Sequence, residues 1–170
     1  MTPAAEAIET PRLRLLPLRV ADAEELALVL ADPALHTFIG GAPAEVQTVR
    51  ARFARWVVGS PDPAVTWANW GIQLRAEECL VGTVQATISG SEAEVAWTVG
   101  TGWQGRGIAG EAARGLVGWL RGHGVDLVLA HIHPDHAASA RVAAAAGLAA
   151  TDRLVDGEVE WRLSLVADTE

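Results

Sequence analysis

The chain has 170 residues, enough for one domain that buries roughly 70% of its unfolded surface and needs no disulfide or metal staple. A formal net charge of −8 argues against nucleic acid held by bulk attraction, and the single cysteine, Cys79, excludes an internal disulfide and fits a reducing cytoplasm. Lysine and tyrosine are absent, so a Walker phosphate loop, which needs lysine, is excluded; no apolar run reaches the roughly 18 residues of a membrane helix.

Residues 1–9 read as a mobile N-terminal extension, acidic and interrupted by Pro3 near its start, without the pattern of a signal peptide. Leu13 and Leu15, set among Arg12 and Arg14, predict a strand over residues 12–16, stopped near Pro17. Asp22 can cap a helix over 23–30, and Val46, Val49, Phe53, Trp56 and Val57 make the apolar stripe of a second helix over 44–58. Three strands follow, at about residues 67–75, 80–88 and 93–99. A glycine-dense turn then leads into a helix over 108–121, ended by Gly122-His123-Gly124. Residues 127–132 form a continuous apolar run, as expected of a strand covered on both faces. Alanine-rich residues 137–146 form a short helix with Gly147 past its end, and residues 150–155 and 159–165 flank Asp156-Gly157 as a hairpin. The order β-α-α-β-β-β-α-β-α-β-β predicts an α/β domain spanning the chain, its mixed sheet built of about seven strands.

Chemistry concentrates in the glycine turn, Trp103-Gln104-Gly105-Arg106-Gly107-Ile108-Ala109-Gly110-Glu111. A turn of this kind presents successive backbone N–H groups at a helix N-terminus, where the dipole favours anions such as phosphate. Two templates fit it. Gly105-x-Gly107-x-x-Gly110 matches a dinucleotide fingerprint, and Gln104-x-x-Gly107-x-Ala109 matches an acyl-CoA pyrophosphate loop. The dinucleotide fingerprint belongs at the first strand-to-helix turn, with an acidic residue ending the next strand. Here the turn lies two-thirds along the chain and Asp126 sits at the wrong end of the following strand. That reading fails.

Four separate blocks carry a resemblance instead. Thr10-Pro11-Arg12-Leu13-Arg14-Leu15, Glu94-Val95-Ala96-Trp97, the glycine turn, and Pro134-Asp135-His136-Ala137-Ala138-Ser139-x-Arg141-Val142 follow one another in the chain. In that order they resemble the GNAT acetyltransferases, particularly the branch that acetylates the N-termini of ribosomal proteins. The resemblance implies the GNAT fold, with a mostly antiparallel sheet flanked by helices. It implies acetyl-CoA as acyl donor, no metal, and a primary amine as acceptor, either a peptide N-terminus or a small molecule. Neither nucleic acid nor membrane is an expected partner, and a homodimer is compatible with the sequence.

The resemblance also distributes roles. Backbone N–H groups of Gln104, Gly105, Arg106, Gly107, Ile108 and Ala109 would bind the pyrophosphate, although the glycines can equally serve a tight turn and Arg106 can simply be solvated. Main-chain groups of Trp97, Thr98 and Val99 would bind pantetheine and polarise the thioester carbonyl. Glu94 would serve as general base through a water; a solvated strand-end carboxylate is the plain alternative, and Glu92 has similar credentials. Many relatives use a tyrosine as general acid, which this chain lacks, leaving Ser139 to protonate the thiolate or merely to cap a helix. His136 stands where relatives carry an asparagine that contacts CoA or substrate backbone, and would either replace one of those hydrogen bonds to the cofactor or serve as a titrating group. His36 and Phe38 fall in the loop where relatives receive the acceptor.

Two alternatives remain at this level. One is a non-catalytic acyl-CoA-binding module of the same fold, suggested by the missing tyrosine and by His136. The other is a zinc-dependent hydrolase, because His131-x-His133-x-Asp135-His136 reproduces the H-x-H-x-D-H signature and His131 and His133 can share a strand face. No histidine follows His136 to complete a second metal shell. Cys79 beside Glu77 and Glu78 reads as unreactive, since neighbouring carboxylates raise a thiol pKa. The seven tryptophans read mainly as core, with Trp67 and Trp70 as candidates for an acceptor groove.

Overall fold

The computed structural model describes residues 4–32 and 45–166. Its elements are β1 (Ile8–Glu9), β2 (Leu13–Pro17), α1 (Ala23–Val29), α2 (Val46–Val58), β3 (Val65–Leu74), β4 (Leu80–Ser89), β5 (Glu92–Val99), α3 (Ile108–Arg121), β6 (Leu127–Ile132), α4 (Ala137–Ala145), β7 (Ala149–Val155) and β8 (Glu158–Ser164). They build one eight-stranded sheet in the order β1-β2-β3-β4-β5-β6-β8-β7. Every neighbouring pair is antiparallel except β5 and β6, which are joined by the α3 crossover and run parallel. The expected extension over residues 1–9 ends in the sheet: Ile8 and Glu9 pair with Leu15 and Arg14, and Trp70 Nε1 donates to the Glu6 carbonyl at 2.8 Å. This pairing supplies the strand beyond the seven read from sequence.

Strand alternation explains the layering. Val84, Ala86 and Ile88 of β4, Ala93 and Val95 of β5, and Val128, Ala130 and Ile132 of β6 turn one face inward. That face packs against Ile108, Ala112, Leu116 and Leu120, the stripe of α3 spaced at roughly 3.6 residues per turn. A second, smaller core gathers Leu18, Ala23, Leu26, Val49 and Phe53 of the α1–α2 region around Leu80. Leu80 and Val81 are adjacent yet belong to different cores, so α1 and α2 cover the face opposite α3. Trp70 lies at the centre of the larger core with no exposed surface, in edge contact with Trp119. It cannot line an acceptor groove, which corrects the expectation for that residue; Trp67 is only partly buried. Among the described residues, no helix is long and apolar enough to cross a membrane.

The decisive feature lies between the two parallel strands. They pair only at Glu92–Leu127, Ala93–Val128 and Glu94–Leu129. Beyond Glu94, β5 stays bonded to β4 as far as Val99, while β6 stays bonded to β8 as far as Ile132. The sheet therefore splits, leaving the β6-facing edge of residues 95–99 without a strand partner among the described residues. Gly82 shapes that end of β5. A Cβ there would lie 2.1 Å from the Thr98 carbonyl oxygen, so only glycine lets the two backbones approach as they do.

Candidate active site

The split opens into a cavity of about 680 Å³, within the range of small-molecule sites. Trp97, Thr98 and Val99 form one wall, and the other comes from the start of α4 with His136 and Ser139. The glycine loop closes the end: Gln104, Gly105, Gly107, Ile108 and Ala109 all face the cavity. Arg106 does not; its carbonyl instead accepts from Arg12 Nη1 at 2.9 Å. Residues more than 40 positions apart thus converge on one space.

Local sequence explains the loop's shape. Gly105 and Gly107 adopt φ of +80° and +75°, left-handed values that favour glycine. Gly107 is the N-cap of α3, so the free N–H groups of that helix's first turn open toward the cavity. The Gln104 side chain anchors the approach by donating from Nε2 to the Val99 carbonyl at 3.0 Å. It ties the loop to the end of the splayed strand.

The cavity carries a charge opposite to that of the chain. Arg12, Arg114 and Arg141 line it, and among the described residues no Asp or Glu does, although the formal net charge of the whole chain is −8. A local field of this sign selects anions regardless of net charge. Sequence reading missed all three arginines. Arg114 could have been found, since it lies four residues after Gly110 and so shares that face of α3.

His136 is the N-cap of α4, and its Nε2 lies 3.4 Å from Ser139 Oγ, a long hydrogen bond. Burial first, and then the neighbouring His133, hold the His136 pKa below the usual histidine value, so the ring is neutral at pH 7.

Glu94 sits outside the cavity wall, at the point where the strands part. Its carboxylate accepts from His131 Nδ1 at 2.9 Å, while His131 Nε2 contacts Glu160 Oε1 at 3.3 Å. The three groups lie on β5, β6 and β8, on the face turned away from α3. Burial works against charge on His131, but hydrogen bonds and charge from Glu94, and then Glu160, outweigh it and raise its pKa. Glu160 is 4% exposed and is also approached by Arg153 Nε at 3.9 Å and Arg162 Nε at 3.8 Å. Neither Glu160 nor the bridging role of His131 is visible in the sequence, because strand register, not spacing, brings them to Glu94.

The same geometry disperses the histidine run. Strand β6 ends at Ile132, so His133 does not share a strand face with His131, as alternation had suggested. His133 Nδ1 accepts the Asp135 N–H at 3.1 Å, His131 joins the two glutamates, and His136 faces the cavity. Among the described residues, no group of three or more His, Cys, Asp or Glu is arranged to hold a metal. Cys79 carries a raised pKa, through burial first and then Glu77 and Glu25, the reverse of an activated thiol. His36 and Phe38 lie outside the described residues.

Comparison with known proteins gives this arrangement a context. The family profile described as acetyltransferase (GNAT) domain matches residues 12–149. A GNAT-family acetyltransferase from Bacillus anthracis superposes with a TM-score of 0.77 at 16% identity, covering 94% of this chain and 99% of that one. An acetyltransferase from Agrobacterium tumefaciens gives 0.73 at 24% identity, with 96% of each chain covered. The ribosomal L7/L12 α-N-protein acetyltransferase RimL, solved in complex with coenzyme A, gives 0.78 at 15% identity, over 94% of this chain and 98% of that one. No curated protein matches the sequence at a significant level.

Proposed function

The chain belongs to the GNAT acetyltransferase family, and from that premise we propose that it transfers acetyl from acetyl-CoA to a primary amine by direct attack in a ternary complex. The parting of β5 and β6 after Glu94, with the glycine loop closing the gap, carries this reading. The cavity fits the donor in three respects: its volume, its arginine-lined wall, and a helix N-terminus capped by a left-handed glycine. The N–H groups of residues 104–109 would hold the pyrophosphate, and the open edge of Trp97, Thr98 and Val99 would hold pantetheine by main-chain bonds. When bound, acetyl-CoA supplies an activated thioester carbonyl; the remaining chemistry falls to the chain.

That chemistry is proton handling. A free α-amine near pKa 8 is about one-tenth neutral at pH 7, and a lysine side chain less than one-thousandth. Glu94 stands at the mouth of the split and takes the ammonium proton through a water, with His131 holding its carboxylate in place. A backbone N–H at the end of β5 stabilises the developing oxyanion. Ser139, its hydroxyl oriented by neutral His136, gives its proton to the departing thiolate and regains one from the protonated nitrogen of the tetrahedral adduct. The acceptor is a protein N-terminus or a small amine such as a polyamine. The acidic surface favours a basic one, and His36 and Phe38 are the positions proposed to select it.

The test is CoA release from acetyl-CoA against a panel of amines and basic N-terminal peptides. Turnover with at least one amine, lost in Glu94→Gln while CoA binding persists, supports the enzyme. Tight CoA binding with no turnover on any acceptor would favour the non-catalytic module.

A further inference from the structure

The glycine loop is held from behind by a segment 99 residues away in sequence. Glu111, in the first turn of α3, is buried at 7% exposure, an expensive place for a carboxylate unless it is fully paired. Its pairing is complete. Arg12 Nε donates to Oε1 at 2.7 Å, the Arg12 backbone N–H donates to Oε2 at 2.9 Å, and the Thr10 hydroxyl donates to Oε2 as well. The Arg12 guanidinium then continues outward. Nη1 donates to the Arg106 carbonyl at 2.9 Å, and Nη2 lies 3.4 Å from where a Cβ on Gly107 would sit. Arg12 also lines the cavity.

This arrangement resolves an electrostatic conflict. A carboxylate in the first turn of α3 suits the helix dipole, but it would also repel a phosphate bound to the same N–H groups. Turned toward β2 and covered by Arg12, it no longer presents negative charge to the loop. Burial opposes its ionised form, but the bonds from Thr10 and Arg12 outweigh burial and lower its pKa, so the pair stays charged. One planar guanidinium thus bridges the helix carboxylate and the loop carbonyl while leaving a donor edge beside Gly107. A lysine ammonium lacks that geometry.

We propose that Arg12 is a positioning residue for the acyl-CoA diphosphate, clamping the glycine loop through Glu111 and the Arg106 carbonyl so that its N–H groups and positive charge face the phosphates. The proposal rests on the acyl-CoA reading above. It distinguishes the diphosphate from the rest of the donor, and that distinction is measurable.

The experiment compares acetyl-CoA with S-acetylpantetheine, which keeps the thioester arm and lacks the nucleotide and diphosphate. Wild type, Arg12→Gln and Arg12→Lys are assayed on both donors, with CoA affinity measured by calorimetry. Loss of a charge-assisted bond predicts a rise of about 10- to 100-fold in KM for acetyl-CoA and in Kd for CoA in Arg12→Gln. The same variant keeps kcat, and its kcat/KM on S-acetylpantetheine, within about threefold of wild type. Arg12→Lys recovers part of the loss, since it restores charge without the bridge. Equal losses on both donors, or no loss on either, would overturn the clamp. If the wild type binds CoA but transfers to no amine, the acetyltransferase reading fails and the Kd ratio alone decides the clamp. A wild type that binds no CoA overturns both.

Discussion

Replacing Glu94 by glutamine removes one charge at the mouth of the split and, with it, the main cause of the raised His131 pKa. The side chain is 54% exposed and contributes nothing to the cavity wall, so folding stability should stay within about 0.5 kcal/mol and CoA affinity should not change. Catalysis should fall by about 10²- to 10³-fold at pH 7, the usual scale for a lost general base. The pH dependence is the sharper readout. Without the carboxylate, the enzyme uses only amine that arrives neutral, about one-tenth of an α-amine with pKa near 8 at pH 7 and about nine-tenths at pH 9. The wild-type to variant ratio of kcat/KM should therefore shrink about tenfold between pH 7 and pH 9. Steady-state assays by thiol detection on an N-terminal peptide give both values. A defect of constant size across this range would show that Glu94 does not handle the acceptor proton, and unchanged turnover at pH 7 would remove it from the mechanism.

Ser139→Ala should lower kcat by about 10²-fold while leaving the Kd for CoA near wild type; calorimetry paired with turnover would refute the role if affinity, and not kcat, changed. Gly82→Ala forces a Cβ against the Thr98 carbonyl at 2.1 Å. An overpacking cost of about 1–3 kcal/mol should lower the melting temperature by roughly 3–10 °C and weaken CoA binding, and an unchanged melting curve would contradict the close approach. The folded pKa of His131 is raised above its ordinary 6.5. Its contribution to stability is therefore complete below about pH 6.5 and is lost as pH rises through the folded value. Thermal melts of wild type and His131→Gln should differ most at acidic pH and converge at alkaline pH; a gap that widens with pH would reverse the sign of the argument.

Much of this fold could be read before the structure. Helix and strand boundaries from β2 to β8 fall within about two residues of the periodicity-based expectations, since period 3.6 and period 2 were each sustained over whole segments. β1 was missed because two residues carry no period; its existence depends on pairing with β2. The loop and its neighbours were legible because four blocks in order are specific, and Trp97–Val99, Gln104, Gly107, His136 and Ser139 from three of those blocks line one cavity. Non-local partners were invisible. Arg12 meets Glu111 across 99 residues, and Glu160 reaches His131 through antiparallel register. The histidine run misled for a related reason: the strand ends at Ile132, and the chain turns before His133 can share a face with His131.

The most direct test of the central claim is a crystal structure with CoA bound. The account predicts the pyrophosphate within about 3.2 Å of backbone N–H groups in residues 104–109 and the pantetheine arm between β5 and β6, against Trp97–Val99. CoA seated elsewhere on the protein, with the split between the strands empty, would contradict it.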